Sequence, residues 1–336
     1  TMPGEETLAD YGQNLPYSLE AEQSVLGAIL IDPEKLPEVM SAISGIDQAL
    51  WDIKGRALGV PVYELLGGRC RDKIRMYSHS GGDTPEEAAA NAKKRVEQGF
   101  DAIKISPDAP VEHIDHLGYV DALAEKFCAI REAVGKNVDI AIDFHGRIMA
   151  GMASRLIDAI APYYPMFVEE PVLPENVEVM ASIAAKTSVP IATGERAIDL
   201  REFEVLMARH ACQHVRPDVC AVGGITTSKK ICALAEAHDV LVIPHNPLGP
   251  VSTAACLQIC ASIPNLGIQE LPGFCLNGAE DRMVKEPLRF ENGCMLIPEA
   301  PGIGVELADD AEELYPANER GSTSARRAFD GSVKDW

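Results

Sequence analysis

The sequence predicts an α/β protein built on a (βα)8-type barrel. Between residues 73 and 270, short β-branched runs alternate with stretches of helical periodicity, which is typical of repeated strand–helix units around a parallel sheet. Eight such strands favour a closed barrel over an open doubly wound sheet. No glycine-rich dinucleotide-binding or phosphate-binding loop follows any strand, and this argues further against a nucleotide-binding sheet.

The eight predicted strands are short and are spaced through the middle of the chain. They cover residues 73–77, 102–106, 139–144, 166–169, 190–193, 212–216, 240–244 and 266–269. The helices between them have readable ends. Thr84 is a good N-cap, Glu87 would complete a capping box, and Gly99 would end the helix. Another helix is predicted over residues 226–238, after a pair of glycines.

Composition and charge exclude several classes of protein. The 336 residues are 46% hydrophobic and 24% charged, which is typical of a globular protein. The formal net charge of −21 disfavours nucleic-acid binding, because that binding depends on Lys and Arg contacts to phosphates. No apolar segment approaches the ~18 residues of a membrane helix, and no signal peptide is recognisable. Nine cysteines without a CxxC pair favour reduced thiols, so we expect a cytoplasmic protein. From the charge and the apolar segments we expect neither nucleic-acid nor membrane partners.

Acidic or imidazole side chains lie at or just after the ends of six successive predicted strands, the third to the eighth. These residues are Asp143, Glu169, Glu195, Asp218, His245 and Glu270. Barrel enzymes carry their chemistry at the C-terminal ends of the strands, so all six side chains should meet at one mouth. Any one of them alone would be read as a surface charge or a helix cap. Their recurrence in phase with the strand–helix repeat predicts an active site.

The three carboxylates of the third, fourth and fifth strands predict a metal ion. Asp143, Glu169 and Glu195 would repel one another at close range unless a cation lay between them. A ligand set of oxygen atoms without His or Cys suits Mg²⁺, which keeps positions open for water and a substrate carboxylate. Mn²⁺ is the expected substitute.

Two histidines accompany these carboxylates. His145 lies two residues after Asp143, so that continued strand geometry would point both side chains to the same side. His245 follows the seventh predicted strand and Asp218 follows the sixth, so the two side chains should be neighbours. A carboxylate that is hydrogen-bonded to one ring nitrogen would raise the basicity of the other. Glu270 has two interpretations: a protonated acid that stabilises an oxyanion, or a salt-bridge partner of Lys or Arg. Two imidazoles beside a metal favour abstraction of a proton next to a metal-bound carboxylate.

Seven motifs occur in the same order as in a known family. They cover residues 143–147, 167–171, 193–196, 216–218, 223–226, 245–250 and 268–270. With these motifs the sequence resembles the mandelate racemase branch of the enolase superfamily, and within it the galactonate dehydratase group, from about Ser44 to Trp336. The resemblance implies an enolase-like (βα)7β barrel, a homo-oligomer, and a magnesium-dependent dehydratase. Its substrate would be a small sugar acid, and its product a 2-keto-3-deoxy acid.

The resemblance also implies roles for the residues at the strand ends. The implied Mg²⁺ ligands are Asp143, Glu169 and Glu195, and the implied catalytic residues are His145, His245, Asp218 and Glu270. The carboxylate partner Asp218 favours His245 as the base that takes the C2 proton. His145 would then be the acid that assists loss of the C3 hydroxyl.

Lys104 departs from the pattern of the racemases in this family. They carry two lysines separated by one residue at the end of the second strand, whereas this chain has Lys104 and Ser106. The missing lysine disfavours a racemase with one Lys and one His base. Lys104 either adds positive charge near the substrate carboxylate or neutralises the acidic mouth.

The alternative functions are an epimerase, another acid-sugar dehydratase, or a catalytically impaired barrel without its cap.

The N-terminal region is truncated and atypical compared with the capping domain of the family. Residues 14–40 instead resemble the start of the N-terminal domain of replicative DNA helicases, and the apolar positions Val25, Leu26, Ile29 and Leu30 predict an amphipathic helix. We expect an atypical helical segment over residues 1–43 and a remnant of capping-domain helices over 44–72. The catalytic barrel should cover 73–284, and residues 285–336 should return to the cap.

Overall fold

Eight parallel strands form a ring in the computed structural model, which describes residues 36–107, 111–272, 282–315 and 330–332. The strands are β1 (Lys73–His79), β2 (Ala102–Ile105), β3 (Asp139–Asp143), β4 (Val168–Glu169), β5 (Ile191–Thr193), β6 (His214–Val215), β7 (Leu241–Val242) and β8 (Gln269–Leu271). Each strand from β1 to β6 pairs with the next strand along the chain, and β1 also pairs with β8. A parallel bridge between Val242 and Leu266 joins β7 to the residues before β8. The predicted barrel is therefore confirmed.

A helix follows each strand from β1 to β7. These helices are α3 (Pro85–Glu97), α4 (Leu117–Val134), α5 (Ala150–Ile160), α6 (Val177–Ala184), α7 (Leu200–Ala208), α8 (Gly224–Ala237) and α9 (Pro250–Ala261). The chain before β1 forms α1 (Leu36–Leu58) and α2 (Val62–Leu65), and the chain after β8 includes β9 (Phe290–Glu291), β10 (Cys294–Leu296) and α10 (Ala311–Leu314). This order corresponds to the (βα)7β form.

The local end signals agree with the sequence analysis in part. The Thr84 hydroxyl accepts a hydrogen bond from the Glu87 amide at 3.2 Å, which confirms the N-cap of α3. The Glu87 carboxylate, however, accepts from the amide of Asp83 at 3.1 Å and not from that of Thr84, so the predicted capping box is displaced by one residue. Helix α8 begins at Gly224, two residues before the predicted start.

The interior of the barrel has an apolar floor beneath its polar mouth. The residues of this floor are Tyr77, Ala102, Ala141, Phe167, Ala192, Ile243 and Ile268. Side chains alternate between the two faces of a strand, so the residue two positions later points to the same interior at a higher level. That rule places His79 above Tyr77, Lys104 above Ala102, and Asp143 above Ala141. The same step leads from Phe167 to Glu169, from Ile243 to His245, and from Ile268 to Glu270.

Helix α1 is fixed to the barrel through the start of α8. The Asp47 carboxylate accepts hydrogen bonds from the Thr226 amide at 3.0 Å and the Thr226 hydroxyl at 2.6 Å. The Trp51 indole donates to the same hydroxyl at 2.9 Å, and the Ser44 hydroxyl accepts from the Gly223 amide at 3.0 Å. A side-chain acceptor supplied by another helix thus satisfies amide groups at the start of α8.

The C-terminal residues that the structure describes also contact this region. Strand β10 pairs antiparallel with the first residues of β1, and Gly302 forms a bridge with Pro61. The Gln258 side chain of α9 accepts from the Tyr63 amide at 2.9 Å and donates to the Ile303 carbonyl at 2.9 Å. Gln258 therefore joins α2 and the C-terminal segment to the barrel.

No helix of the described residues is long and apolar enough to cross a membrane. The eight cysteines in the same residues are all free thiols.

Candidate active site

Four buried charged side chains form a closed ring of ion pairs inside the barrel mouth. Lys104 Nζ lies 2.7 Å from Glu169 Oε2 and 2.9 Å from Glu270 Oε1. Arg216 Nη2 lies 2.7 Å from Glu270 Oε2, and its Nε contacts Glu169 Oε1. We call these four residues the charge ring. They lie on or directly after β2, β4, β6 and β8, so alternate strands of the barrel supply one layer, as is usual for this fold.

The charge ring keeps its carboxyl groups ionised in spite of burial. Burial raises the pKa of Glu169, but Arg216 and Lys104 outweigh that effect and lower it to about 2. Burial likewise raises the pKa of Glu270, and Lys104 and Arg216 hold it well below its ordinary value. Glu270 therefore makes the salt bridges of one of the two interpretations that the sequence left open, and its predicted catalytic role stays a prediction. The same contacts place Lys104 against the acidic residues of the mouth.

The three predicted metal ligands lie together, and one of them, Glu169, also belongs to the charge ring. Asp143, Glu169 and Glu195 each offer an oxygen atom, and these atoms lie within 4.8 Å of one another. Burial raises the pKa of Glu195 to about 8, and the charges of Glu169 and Asp143 contribute in the same direction although His245 opposes them. The cluster thus has more negative charge than it can hold without a proton or a cation.

The donor set fits a divalent ion. When all are ionised, the five carboxylates of Asp143, Glu169, Glu195, Asp218 and Glu270 face Lys104, Arg216 and the protonated His245, which leaves two negative charges uncompensated among these described residues. Mg²⁺ prefers oxygen ligands of this type and would supply those two positive charges. The three residues that would hold it are Asp143, Glu169 and Glu195.

Glu195 reaches the cluster because the chain turns sharply after β5. Gly194 has φ of +132°, and a Cβ atom there would lie 2.6 Å from Cε1 of Phe203. Glycine is required by both the backbone conformation and the contact. The Gly194 amide also donates to Glu170 Oε1 at 3.2 Å. Glu170 receives a further hydrogen bond from the Thr193 hydroxyl, so it supports the turn rather than the cluster.

His245 and Asp218 form the predicted imidazole–carboxylate pair. His245 Nδ1 lies 2.8 Å from Asp218 Oδ2, and its Nε2 lies 3.4 Å from Glu195 Oε2. Burial lowers the pKa of His245, but the hydrogen bond to Asp218 and the charges of Glu270 and Glu195 outweigh it and raise the pKa to about 9. The hydrogen bond at Nδ1 orients the ring, and Nε2 faces the carboxylate cluster.

His145 lies across the mouth from His245, since β3 and β7 are four strands apart in the ring of eight. Its backbone is in the left-handed region with φ of +54°, and its amide donates to Asp143 Oδ1 at 2.8 Å. Its ring Nε2 lies 3.4 Å from Asp143 Oδ2. Burial lowers the pKa of His145, although Asp143 partly opposes this effect. His145 therefore releases a proton more easily than His245 does.

The structure brings together all eight residues that the sequence singled out, and it adds two that the sequence analysis missed. Arg216 completes the charge ring, but an arginine beside Pro217 and Asp218 carries no sign of complete burial. His79 lies at the end of β1, where its Nε2 is 2.6 Å from Glu270 Oε1. The predicted first strand ended at Tyr77, and a strand two residues longer would have revealed His79 on the interior face.

Two family models match the chain. One is described as enolase C-terminal domain-like and matches residues 87–311, and the other is the mandelate racemase/muconate lactonizing enzyme N-terminal domain and matches residues 18–67. The second match begins within the segment that resembles helicases. That resemblance stays a prediction, because residues 14–35 lie outside the part of the chain that the structure describes.

Individual relatives match most of the chain. The D-galactonate dehydratase of Pectobacterium atrosepticum is 44% identical over 309 residues, which cover 89% of this chain and 80% of the relative. That of Variovorax paradoxus is 44% identical over 307 residues with the same coverage. A mandelate racemase/muconate lactonizing enzyme from Jannaschia sp. CCS1 has a TM-score of 0.79 and 36% identity, over 84% of this chain and 76% of its own. A similar protein from Roseovarius sp. TM1035 has a TM-score of 0.78 and 32% identity, with coverages of 88% and 83%.

Proposed function

Because this chain belongs to the mandelate racemase/muconate lactonizing enzyme family of the enolase superfamily, we propose that it is a Mg²⁺-dependent dehydratase of a galactonate-type sugar acid. The observation that carries this proposal is the pair of imidazoles on opposite sides of the carboxylate cluster. His245 and His145 follow strands that are four positions apart, with Asp143, Glu169 and Glu195 beside them. A dehydration needs such a pair, because one group takes a proton and another gives one.

His245 is the base and His145 the acid in this proposal. Nε2 of His245 takes the proton from C2, and Asp218 stabilises the imidazolium that forms through its hydrogen bond at Nδ1. His145 donates a proton to the C3 hydroxyl, the C3–O bond breaks, and water leaves. The resulting enol becomes the 2-keto-3-deoxy acid. Mg²⁺, when bound by the three carboxylates, supplies positive charge for the substrate carboxylate.

The sugar acid is tested directly by product formation. The protein with Mg²⁺ is incubated with a library of aldonic acids, and 2-keto-3-deoxy acids are detected by a colour reaction. We expect product from a galactonate-type acid and almost none from Glu195→Gln, which should also bind Mg²⁺ more weakly in calorimetry. If no acid in the library gives product with the unsubstituted protein, the proposed function is wrong and an impaired barrel becomes the better interpretation.

Deuterium exchange separates the two histidines and also tests the alternative of an epimerase. In D₂O, His145→Asn should still exchange the C2 hydrogen without releasing water, because its base is intact. His245→Asn should do neither. Exchange that survives the loss of His245 but not of His145 would reverse the assignment. Inversion at C2 without loss of water in the unsubstituted protein would instead indicate an epimerase.

Two further properties are part of the same proposal. Free thiols throughout the described residues support a reducing compartment, the cytoplasm. We infer a homo-oligomer from the resemblance to the family, and light scattering of the protein in solution measures it.

A further inference from the structure

Glu270 is saturated with hydrogen-bond donors. Its Oε2 lies 2.7 Å from Arg216 Nη2 and accepts from the Asn246 amide at 2.8 Å. Its Oε1 lies 2.9 Å from Lys104 Nζ and 2.6 Å from His79 Nε2. Each carboxylate oxygen thus has two donors, which fills its ordinary capacity. Glu270, which is 1% exposed, thus fixes the positions of these four groups.

His79 is the one of these four partners that reaches solvent. Its side chain is 47% exposed, whereas the side chains of Lys104 and Arg216 are 2% and 0% exposed. It is the last residue of β1 and pairs in register with Lys104, whose side chain points into the barrel. Tyr77, two residues earlier, is part of the interior floor. The His79 imidazole therefore points into the mouth, above the floor.

The contact with Glu270 determines which ring nitrogen carries hydrogen. An ionised carboxylate can only accept, so His79 Nε2 must donate to Glu270 Oε1. Nδ1 then accepts in the neutral ring and donates in the cation. No hydrogen bond of Nδ1 to another described residue is present. A hydroxyl group matches both forms, because a hydroxyl donates and accepts.

The position of β1 indicates which part of a sugar acid would meet this imidazole. The groups proposed to act on C1, C2 and C3 follow β3, β4, β5, β6 and β7, which form one side of the ring. His79 follows β1, outside that arc and next to β8 and β2. The remainder of a sugar acid, with its hydroxyls beyond C3, is the part of the substrate that is left for this side of the mouth.

We propose that His79 is a substrate-binding residue that hydrogen-bonds a hydroxyl of the sugar acid beyond C3, and that Glu270 orients it for this contact. The inference rests on the proposed function and goes beyond it by naming a residue that selects the substrate. The pair repeats the logic of His245 and Asp218, where a carboxylate also fixes one ring nitrogen and leaves the other for the substrate.

The test compares substrates that differ by one hydroxyl. Kinetic constants are measured for the best sugar acid and for analogues that each lack one hydroxyl beyond C3, with the unsubstituted protein, His79→Phe and His79→Asn. We expect both variants to lower kcat/KM for the parent acid by about tenfold, the usual effect of losing one hydrogen bond, mainly through KM. For one analogue the variants and the unsubstituted protein should be equal, because the hydroxyl that His79 contacts is missing.

Controls separate this role from a structural one. His210→Asn is the matched substitution: His210 is exposed, lies between α7 and β6 at the opposite end of the barrel, and has a left-handed φ of +53° that Asn tolerates. It should leave all constants unchanged. Calorimetry with Mg²⁺ alone should be unaffected in His79→Asn, because His79 contacts none of the three metal ligands in the described structure.

Each other outcome counts against the proposal. If the variants lower kcat/KM equally for the parent and for every analogue, or weaken Mg²⁺ binding to the same degree, His79 has a structural role only. If they change nothing while the unsubstituted protein forms product, the His79 inference is wrong and the proposed function stands. If the unsubstituted protein forms no product from any acid, both are wrong.

Discussion

Arg216 shows at the scale of a single residue how the site depends on paired charges. Its guanidinium is completely buried between Glu169 and Glu270, and the three groups are stable only together. We expect Arg216→Met to lower the free energy of unfolding by about 3–5 kcal/mol, because two buried carboxylates lose their partner. Urea denaturation measures this loss. Arg209→Met, which breaks an exposed pair with Glu178, should cost less than about 1 kcal/mol. Equal costs would contradict the interpretation.

His214 makes the stability of the protein depend on pH. Burial lowers its pKa to about 4, and Arg216 contributes, whereas a hydrogen bond that the imidazole donates to the backbone of Gln213 opposes the shift. The ordinary value in an unfolded chain is about 6.5. The unfolded state therefore binds a proton first, and stability that is present above pH 6.5 is lost as the pH falls towards 4.

Replacing His214 by Gln should remove this part of the acid sensitivity. We expect the unsubstituted protein to lose on the order of 1–3 kcal/mol more than His214→Gln between pH 6.5 and 4. Denaturation curves at several pH values give the difference. His210→Gln changes an exposed imidazole and should keep the original slope. Parallel pH profiles for His214→Gln and the unsubstituted protein would show that another group is responsible.

The sequence predicted the functional residues that recur with the repeat and missed those that do not. Asp143, Glu169 and Glu195 stand out because each lies at the end of a predicted strand and because 26 residues separate each from the next. Neither Arg216 nor His79 is acidic, and each becomes significant only through contacts with Glu270, which is 54 and 191 residues away along the chain. Such distances are set by closure of the barrel and carry no local signal.

At the scale of elements, a side chain of helix α1 accepts a hydrogen bond from the first turn of helix α8. Its N-cap, Gly223, has no side chain, and the Asp47 carboxylate of α1 accepts from the Thr226 amide. We expect Asp47→Ala to lower the free energy of unfolding by about 1 kcal/mol, the usual value of an N-terminal acceptor. Asp121→Ala on α4 is a control at an exposed position. Thermal denaturation distinguishes the two, and equal melting temperatures would refute the role of Asp47.

The strands were located correctly from the sequence, but their ends were not. Strands β6 and β7 have two residues each, although the five residues 212–216 and the apolar run 240–244 were read as strands there. In a barrel covered by helices, burial favours apolar side chains on both faces of a strand and beyond its ends. The run of apolar residues therefore extends further than the ladder of hydrogen bonds. For β1 the opposite occurs, because its last interior residue is the polar His79.

At the scale of the whole molecule, α1 joins the barrel by one face and leaves an apolar face exposed. Ile43, Ile46, Leu50 and Ile53 are 47%, 62%, 60% and 62% exposed. They recur at helical spacing, and the surface they form is of the kind that causes association when nothing covers it. The apolar positions predicted between residues 25 and 30 are a candidate cover in the same chain.

Removing residues 1–35 should therefore affect solubility more than folding. We expect the truncated protein to keep the circular dichroism of an α/β fold and to aggregate more, as measured by light scattering. The double substitution Leu50→Gln and Ile53→Gln in the truncated chain should reduce this aggregation, because both side chains are on the exposed face. If the truncated protein unfolds, those residues belong to the core and the interpretation is wrong.

The charge ring of Lys104, Glu169, Arg216 and Glu270 also constrains how this site can evolve. Every member touches two others of opposite sign, so a single neutral substitution leaves a buried charge without compensation. Two substitutions that remove one charge of each sign would restore the balance, and their effects on stability would not add. A homologue with a different set of charges in the barrel interior would therefore need substitutions on two strands together, or would have to evolve through an unstable intermediate sequence.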